Sequence, residues 1–149
     1  MTGVQTCALP ISAGSKNVCE LHGSIARWPC TVCGKIYPTA YVLEEEQKPI
    51  PYCESCGGMV RPGVVLYGEG LDPDVLEKSI RAIRDADTLI VGGTSLVVYP
   101  AAGLIDYFQG RHLVLINQTE THADSRAHLV IRRPIGQVLK EATAAVAAM

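Results

Sequence analysis

Four cysteines, Cys30, Cys33, Cys53 and Cys56, carry the clearest chemical pattern in the chain. They read C-x2-C-x19-C-x2-C, a spacing that lets two thiol pairs close around one tetrahedral divalent cation. A glycine follows each pair, Gly34 and Gly57, and is expected to let the backbone turn tightly and aim N–H groups at the sulfurs. With cysteine in all four positions no coordination site is left for water or substrate, so the expected metal is one structural Zn2+. The stretch between the pairs is too short to fold on a core of its own. Zinc binding can contribute an apparent ~10–16 kcal/mol to a module of this kind. A thiol oxidoreductase would instead place a single Cys-x-x-Cys at the start of a helix. Here the two pairs flank a segment rich in Pro, Tyr and Glu. The redox reading stays open only through one of these pairs or through Cys19, three residues before His22. Cys19 is expected to be buried as an apolar residue.

Chemistry other than metal binding has to come from elsewhere. His22, in "ELHGS", is the one histidine with a suggestive setting; taken alone, a histidine is more often structural. His112, His122 and His128 have no evident partners in the sequence and are expected to be structural or surface residues.

The elements that must position these residues follow from pattern. The 149 residues are 48% hydrophobic and 19% charged, the balance of one soluble globular domain. The net charge of -2 and the lack of a Lys/Arg run argue against nucleic acid as a partner. The apolar stretches are broken by Gly, Ser, Thr and Pro, so no membrane span is expected. The first twelve residues, "MTGVQTCALPIS", lack the basic and long apolar regions of a secretory signal, which makes a cytoplasmic location the expectation.

After the cysteines, "GVVLYGEG" reads as a short strand covered on both faces. Asp72 and Pro73 then suit the N-cap and first position of a helix with Leu76, Ile80 and Ile83 on one face. "TLIVGG", "HLVLIN" and "AHLVI" read as buried strands. Between the first two, Pro100 opens a helix with Leu104, Ile105 and Phe108 turned inward, and a last helix repeats Ile135, Val138, Leu139, Ala142 and Val146. Strands alternating with helices imply a parallel sheet. The fold class is therefore α/β, a partial Rossmann-like parallel sheet with an inserted small four-cysteine zinc module. In such sheets ligands sit at the carboxyl ends of the strands. "VGGTSL" offers Gly93, Thr94 and Ser95 there, and Asn117 ends the next strand about where a dinucleotide site contacts a ribose.

Taken in order, "ELHGS", the four cysteines, "RPGVVLYGEG", "GGTSLVVYPAAGL", "LVLIN" and "IGQVL" resemble the sirtuin family of NAD-dependent protein deacylases. The resemblance runs from about residue 13 to the end of the chain. It implies a zinc module at about residues 27–62 and a Rossmann-like part at about 13–26 and 63–149. It also implies His22 as catalytic base and Cys30, Cys33, Cys53 and Cys56 as zinc ligands. The family's peptide-pairing strand falls on Val64, Val65, Tyr67, Gly68 and Glu69, with Tyr67 where the family usually has Phe. Its NAD contacts fall on Gly93, Thr94, Ser95, Asn117, Gln118, Thr119 and Ile135.

The implied reaction transfers an acyl group from lysine of a peptide or protein substrate to ADP-ribose, with release of nicotinamide. His22 would take a proton from a ribose hydroxyl on the way.

The family's N-terminal Gly-Ala-Gly-Ile-Ser loop and Gln-Asn-Ile-Asp stretch do not occur in the chain. Residues 1–12 are accordingly expected to be a non-native leader, and the chain a truncated fragment that binds NAD weakly and does not turn over. The alternative reading is a non-catalytic zinc-ribbon module that binds acyl-lysine peptides.

Overall fold

The computed structural model describes residues 2–4, 14–44 and 50–147. Cys7 and the expected leader boundary at Ser12 and Ala13 lie outside the described residues. The chain divides into two compact units, Met1–Lys78 and Ser79–Met149.

In the first unit, β1 (Thr2–Val4) pairs in parallel with β2 (Asn17–Cys19), so part of the expected leader joins a ladder with the "NVC" segment. The remaining ladders are short and antiparallel. β3 (Gly23–Ser24) pairs with β6 (Gly63–Val64), and β4 (Arg27–Pro29) pairs with β5 (Ile36–Pro38). Helix α1 (Thr39–Glu44) follows β5 directly. Among the described residues, Cys30, Tyr37, Cys53 and Val60 form a small buried cluster with Trp28 and Tyr41 packed against it, and Cys19 and Leu21 are buried as well. Two of the four residues of that cluster are cysteines, so apolar burial alone is a weak source of stability around them.

Helix α2 (Pro73–Arg84) starts as its sequence requires. The Asp72 carboxylate accepts from the N–H groups of Asp74 at 2.9 Å and Val75 at 3.2 Å, satisfying two donors of the first turn. Ile83 is buried and Leu76 and Ile80 are half-buried, as the helical spacing predicts.

The second unit holds the parallel sheet, in the order β7 (Thr88–Gly92), β8 (His112–Ile116), β9 (Leu129–Ile131). β8 is central and buried through Leu113, Leu115 and Ile116. Leu96, Ile105 and Ala123 complete the core with Leu113 and Leu115. Ile105 comes from a 3₁₀ helix at Ala101–Tyr107 that Pro100 caps, where the sequence predicts an ordinary helix; Leu104 is buried there as well. Helix α3 (Ile135–Ala147) closes the chain.

Three expectations are corrected by burial. "GVVLYGEG" contributes only a two-residue strand, with Val64 and Val65 half-buried and Leu66 and Tyr67 exposed, because the run folds back on itself after Val65. In β7, Ile90 is exposed while Leu89 and Val91 are half-buried, so this strand is covered less than β8. On α3 only Ile135 and Val138 of the expected stripe are half-buried, while Leu139, Ala142 and Val146 are exposed. His112, His122 and His128 are exposed, as expected, and Cys19 is buried. Among the described residues no helix is long and apolar enough to cross a membrane.

Candidate functional site

The two Cys-x-x-Cys pairs form matching turns. Cys30 N–H donates to the Lys35 carbonyl at 2.8 Å and Gly34 N–H returns to the Cys30 carbonyl at 3.0 Å. In the second turn Cys53 N–H donates to Gly58 at 2.7 Å and Gly57 N–H to Cys53 at 2.8 Å. Gly34 and Gly57 have φ of 72° and 70°, the left-handed conformation that closes such a turn and that a side chain disfavours. The N–H groups of Gly34 and Gly57 themselves bind carbonyls, while other backbone N–H groups of the turns face the sulfurs, as expected. Val32 N–H reaches the sulfur of Cys30 at 3.4 Å, and the N–H groups of Ser55 and Cys56 face that of Cys53. Antiparallel bridges Cys30–Val60 and Tyr52–Met59 tie the turns together.

The ladders bring all four sulfurs within 4.8 Å of one another. Cys30 and Cys56 Sγ lie 3.5 Å apart, and Cys33 and Cys53 Sγ lie 3.6 Å apart. A tetrahedral zinc with bonds of about 2.3 Å sets sulfurs ~3.8 Å apart, whereas a disulfide needs about 2.0 Å. The closest sulfur contacts run between the two pairs, as a shared ion requires. Charge gives a second test of the fit. The Tyr37 hydroxyl donates to Cys53 Sγ at 3.1 Å and, with the Ser55 and Cys56 N–H groups, lowers that thiol to about 6. At Cys56 the Gly58 N–H favours the thiolate, but the crowding sulfurs of Cys33 and Cys30 outweigh it and push the thiol up to about 12. Four thiolates at this spacing repel one another, and a divalent cation removes that repulsion. The donor set fits zinc, held with no open position.

His22 sits on the turn between β2 and β3, half-buried. Gly23 makes this placement possible: its φ is 74°, and a Cβ there would meet the Gly63 carbonyl oxygen at 1.9 Å. The backbone can thus approach β6 closely, and Val65 N–H donates to the His22 carbonyl at 3.0 Å. The β3–β6 ladder therefore brings His22 beside Val64 and Val65, residues more than forty positions away in sequence.

Beyond Val65 the chain turns. Glu69 N–H donates to the Leu66 carbonyl at 3.0 Å, closing a four-residue turn with the exposed Tyr67 and Gly68 at its centre. Arg61 fastens it: its guanidinium donates to both Glu69 carboxylate oxygens, at 2.5 and 2.8 Å, and to the Val64 carbonyl at 2.8 Å. The Glu69 carboxylate also accepts from Leu66 N–H at 2.9 Å. Arg61, helped by that N–H, holds Glu69 at about 2, well below the usual carboxylate range. Glu69 thus shapes the turn with its carboxylate. Arg61, Val64 and Val65 also line an open cavity of about 570 Å³ with Glu20, Arg27 and Asp72.

In the second unit the residues expected to contact a dinucleotide gather at the carboxyl ends of β7 and β8. Gly93 N–H donates to the Ile116 carbonyl at 3.2 Å. The Asn117 side-chain amide donates to the carbonyls of Thr94 at 2.8 Å and Thr119 at 3.2 Å, which joins the loops after the two strands. Ile135, the first residue of α3, packs on the same strand end, where a Cβ on Gly92 would lie 2.2 Å from its Cδ1. Gly93, Thr94 and Ser95 are exposed, as are Gln118 and Thr119. Exposed hydroxyl-bearing residues at strand carboxyl ends suit a nucleotide ligand.

Sequence reasoning missed Arg61 and Tyr37. An Arg eight residues before a Glu across an apolar run gives a weak signal. The aromatic in "GKIYP", two residues beyond the first turn, gives a better one, because buried thiolates need donors.

The Sir2 family's model matches residues 7–100. The chain is 59% identical over 128 residues to the NAD-dependent protein deacetylase of Clostridium acetobutylicum, covering 86% of this chain and 52% of that protein. It is 50% identical over 134 residues to the protein of the same name from Cutibacterium acnes, covering 90% of this chain and 54% of the relative. Among solved structures, one described as Sir2 bound to acetylated peptide superposes with a TM-score of 0.91 at 32% identity, covering 100% of this chain and 65% of that one. Another, described as Sir2 with p53 peptide and NAD+, gives 0.89 at 32% identity, covering 100% and 64%.

Proposed function

The chain belongs to the Sir2 family, and from that premise we propose that it carries the peptide-pairing segment, the general base and the adenosine-side contacts of an NAD-dependent protein deacetylase. It spans about half the length of the curated relatives it matches. The observation that carries the reading is the bond from Val65 N–H to the His22 carbonyl, which sets the imidazole-bearing turn beside the segment that would pair with substrate.

In this reading an acyl-lysine peptide or protein lies extended along Val64 and Val65. Tyr67, Gly68 and Glu69 present the turn that flanks it. Backbone hydrogen bonds supply affinity, and Arg61, by gripping both Glu69 and the Val64 carbonyl, keeps the segment in shape before substrate arrives. His22 accepts a proton from a ribose hydroxyl as the acyl group is passed on. NAD, as co-substrate, supplies the ADP-ribose that receives this group and loses nicotinamide. Gly93, Thr94 and Ser95 would bind its phosphate and ribose side, Asn117, Gln118 and Thr119 the adenosine ribose, and Ile135 the adenine. The four-cysteine zinc is structural. A cytoplasmic location belongs to the same proposal.

Amide chemical shifts of the 149-residue chain test it. ADP-ribose is expected to perturb residues 93–95, 117–119 and 135, and an acetyl-lysine peptide to perturb residues 64–69 more strongly than its unacetylated counterpart. Saturating ligand that moves neither set would overturn the proposal. Peptide binding without any response to ADP-ribose would favour the non-catalytic module.

A further inference from the structure

The four sulfurs are unequal. Cys33 and Cys56 are exposed, so water can solvate their charge, while Cys30 and Cys53 are each only 3% exposed. A buried thiolate needs donors from the protein. Cys30 has Val32 N–H at 3.4 Å. Cys53 has a side chain: the Tyr37 hydroxyl, 3.1 Å from its sulfur.

The direction of that bond follows from the partners. Glu54 N–H donates to the Tyr37 oxygen at 3.0 Å, which occupies an acceptor site and leaves the phenolic hydrogen to point elsewhere. A metal-bound thiolate has no hydrogen to give, so the tyrosine is the donor. Its ring is buried and held between two neighbours. Tyr37 is 4% exposed on β5, its ring stacks on Tyr41 at 4.3 Å between centroids, and the Lys35 ammonium lies 4.9 Å from its centre. Lys35 is itself anchored to the second turn through Ser55 Oγ at 3.1 Å. The residue thus reaches from the strand after the first cysteine turn to a ligand of the second.

We propose that Tyr37 is a positioning residue of the metal centre, orienting the Cys53 thiolate and drawing off part of its charge through the hydroxyl-to-sulfur bond. Partners of this kind fix a ligand's orientation and tune how strongly it donates to the metal. The inference rests on zinc occupying the four-cysteine site and is independent of whether the chain takes part in deacetylation.

The zinc-loaded full chain is compared with Tyr37→Phe, which loses only the hydroxyl, and with Tyr41→Phe. Tyr41 shares the stack but donates to the Tyr52 carbonyl at 2.7 Å. Zinc release to excess chelator should be about tenfold faster or more in Tyr37→Phe, and close to the parent rate in Tyr41→Phe. With Co2+ in place of zinc, the sulfur-to-metal charge-transfer band should move to lower energy in Tyr37→Phe alone, a change that loss of packing would not produce. An unchanged band and release rate in a metal-loaded Tyr37→Phe would overturn the proposal.

If that variant takes up no metal, the parent loaded with 113Cd decides: a slowly exchanging Tyr37 hydroxyl proton coupled to the metal upholds the bond, and a freely exchanging one overturns it. A parent that binds no metal would overturn the zinc assignment and this inference together, leaving the ADP-ribose and peptide tests standing.

Discussion

The two units of this chain are stabilised by different physics. In Met1–Lys78 the ladders among the described residues are two or three residues long, and the buried cluster of Cys30, Tyr37, Cys53 and Val60 includes two of the four gathered cysteines. In Ser79–Met149 five-residue strands pair in parallel, and the core is Leu96, Ile105, Leu113, Leu115 and Ala123. The first unit depends on coordination and directed hydrogen bonds, the second on apolar area removed from water. Side-chain identity therefore matters differently in each. A sulfur or hydroxyl in the first cannot be exchanged for an atom of equal volume, whereas the second tolerates exchanges that keep volume and apolarity.

Metal removal should expose this contrast most strongly. Structural zinc contributes on the order of 10–16 kcal/mol of apparent folding free energy in small modules. Chelation, or Cys53→Ser, should therefore unfold the first unit, reported by the chain's single tryptophan, Trp28, which packs against the cysteine core and donates to the Ile25 carbonyl at 2.9 Å. Amides of β7 and β8 should stay protected from exchange. If both units lose protection together, the contrast is wrong.

Leu115→Ala is the converse. Leu115 is 1% exposed in β8, the middle strand of the sheet. Its truncation should cost about 2–5 kcal/mol in denaturant unfolding of the sheet, while the chain still binds one zinc with parent affinity. A loss of zinc affinity comparable to the loss of sheet stability would show that the two kinds of support are not separable.

The smallest expected effect sharpens the picture of the first unit. Glu69 is held at about 2 by Arg61 and by Leu66 N–H, from an ordinary value of 4.5. A depressed carboxyl stabilises the folded state fully above its unfolded value, so the Arg61–Glu69 contribution should be complete above about pH 4.5 and fade as pH falls through about 2. Both side chains are partly exposed, so the effect is modest. The Glu69 carboxyl carbon, followed by NMR, should titrate well below the ordinary value, and Glu69→Gln should expose the Leu66 amide to exchange. A midpoint near 4.5 would mean the clamp is open in solution.

Much of this was legible beforehand, for local reasons. The cysteine spacing specifies a four-sulfur site because coordination geometry allows few ways of closing two such pairs. Asp72 and Pro73 mark the start of α2 because the donors of a helix's first turn need an acceptor at that position. The strands β7, β8 and β9 follow from continuous apolar runs. Where the local pattern misled, tertiary contacts decided: "GVVLYGEG" has the composition of a buried strand, yet Arg61 and Glu69 fold its second half into an exposed turn.

The sequence by itself determined the two cysteine pairs that gather four sulfurs, the order of elements from α2 onward and the family, because each rests on residue type and short spacing. Only the tertiary structure decided which distant residues meet. A Cβ-free Gly23 lets β3 close on β6 and brings His22 to Val65, and the return of β5 over the second cysteine turn carries Tyr37 to Cys53. Such contacts depend on two segments packing in one register, and no periodicity within either segment encodes it.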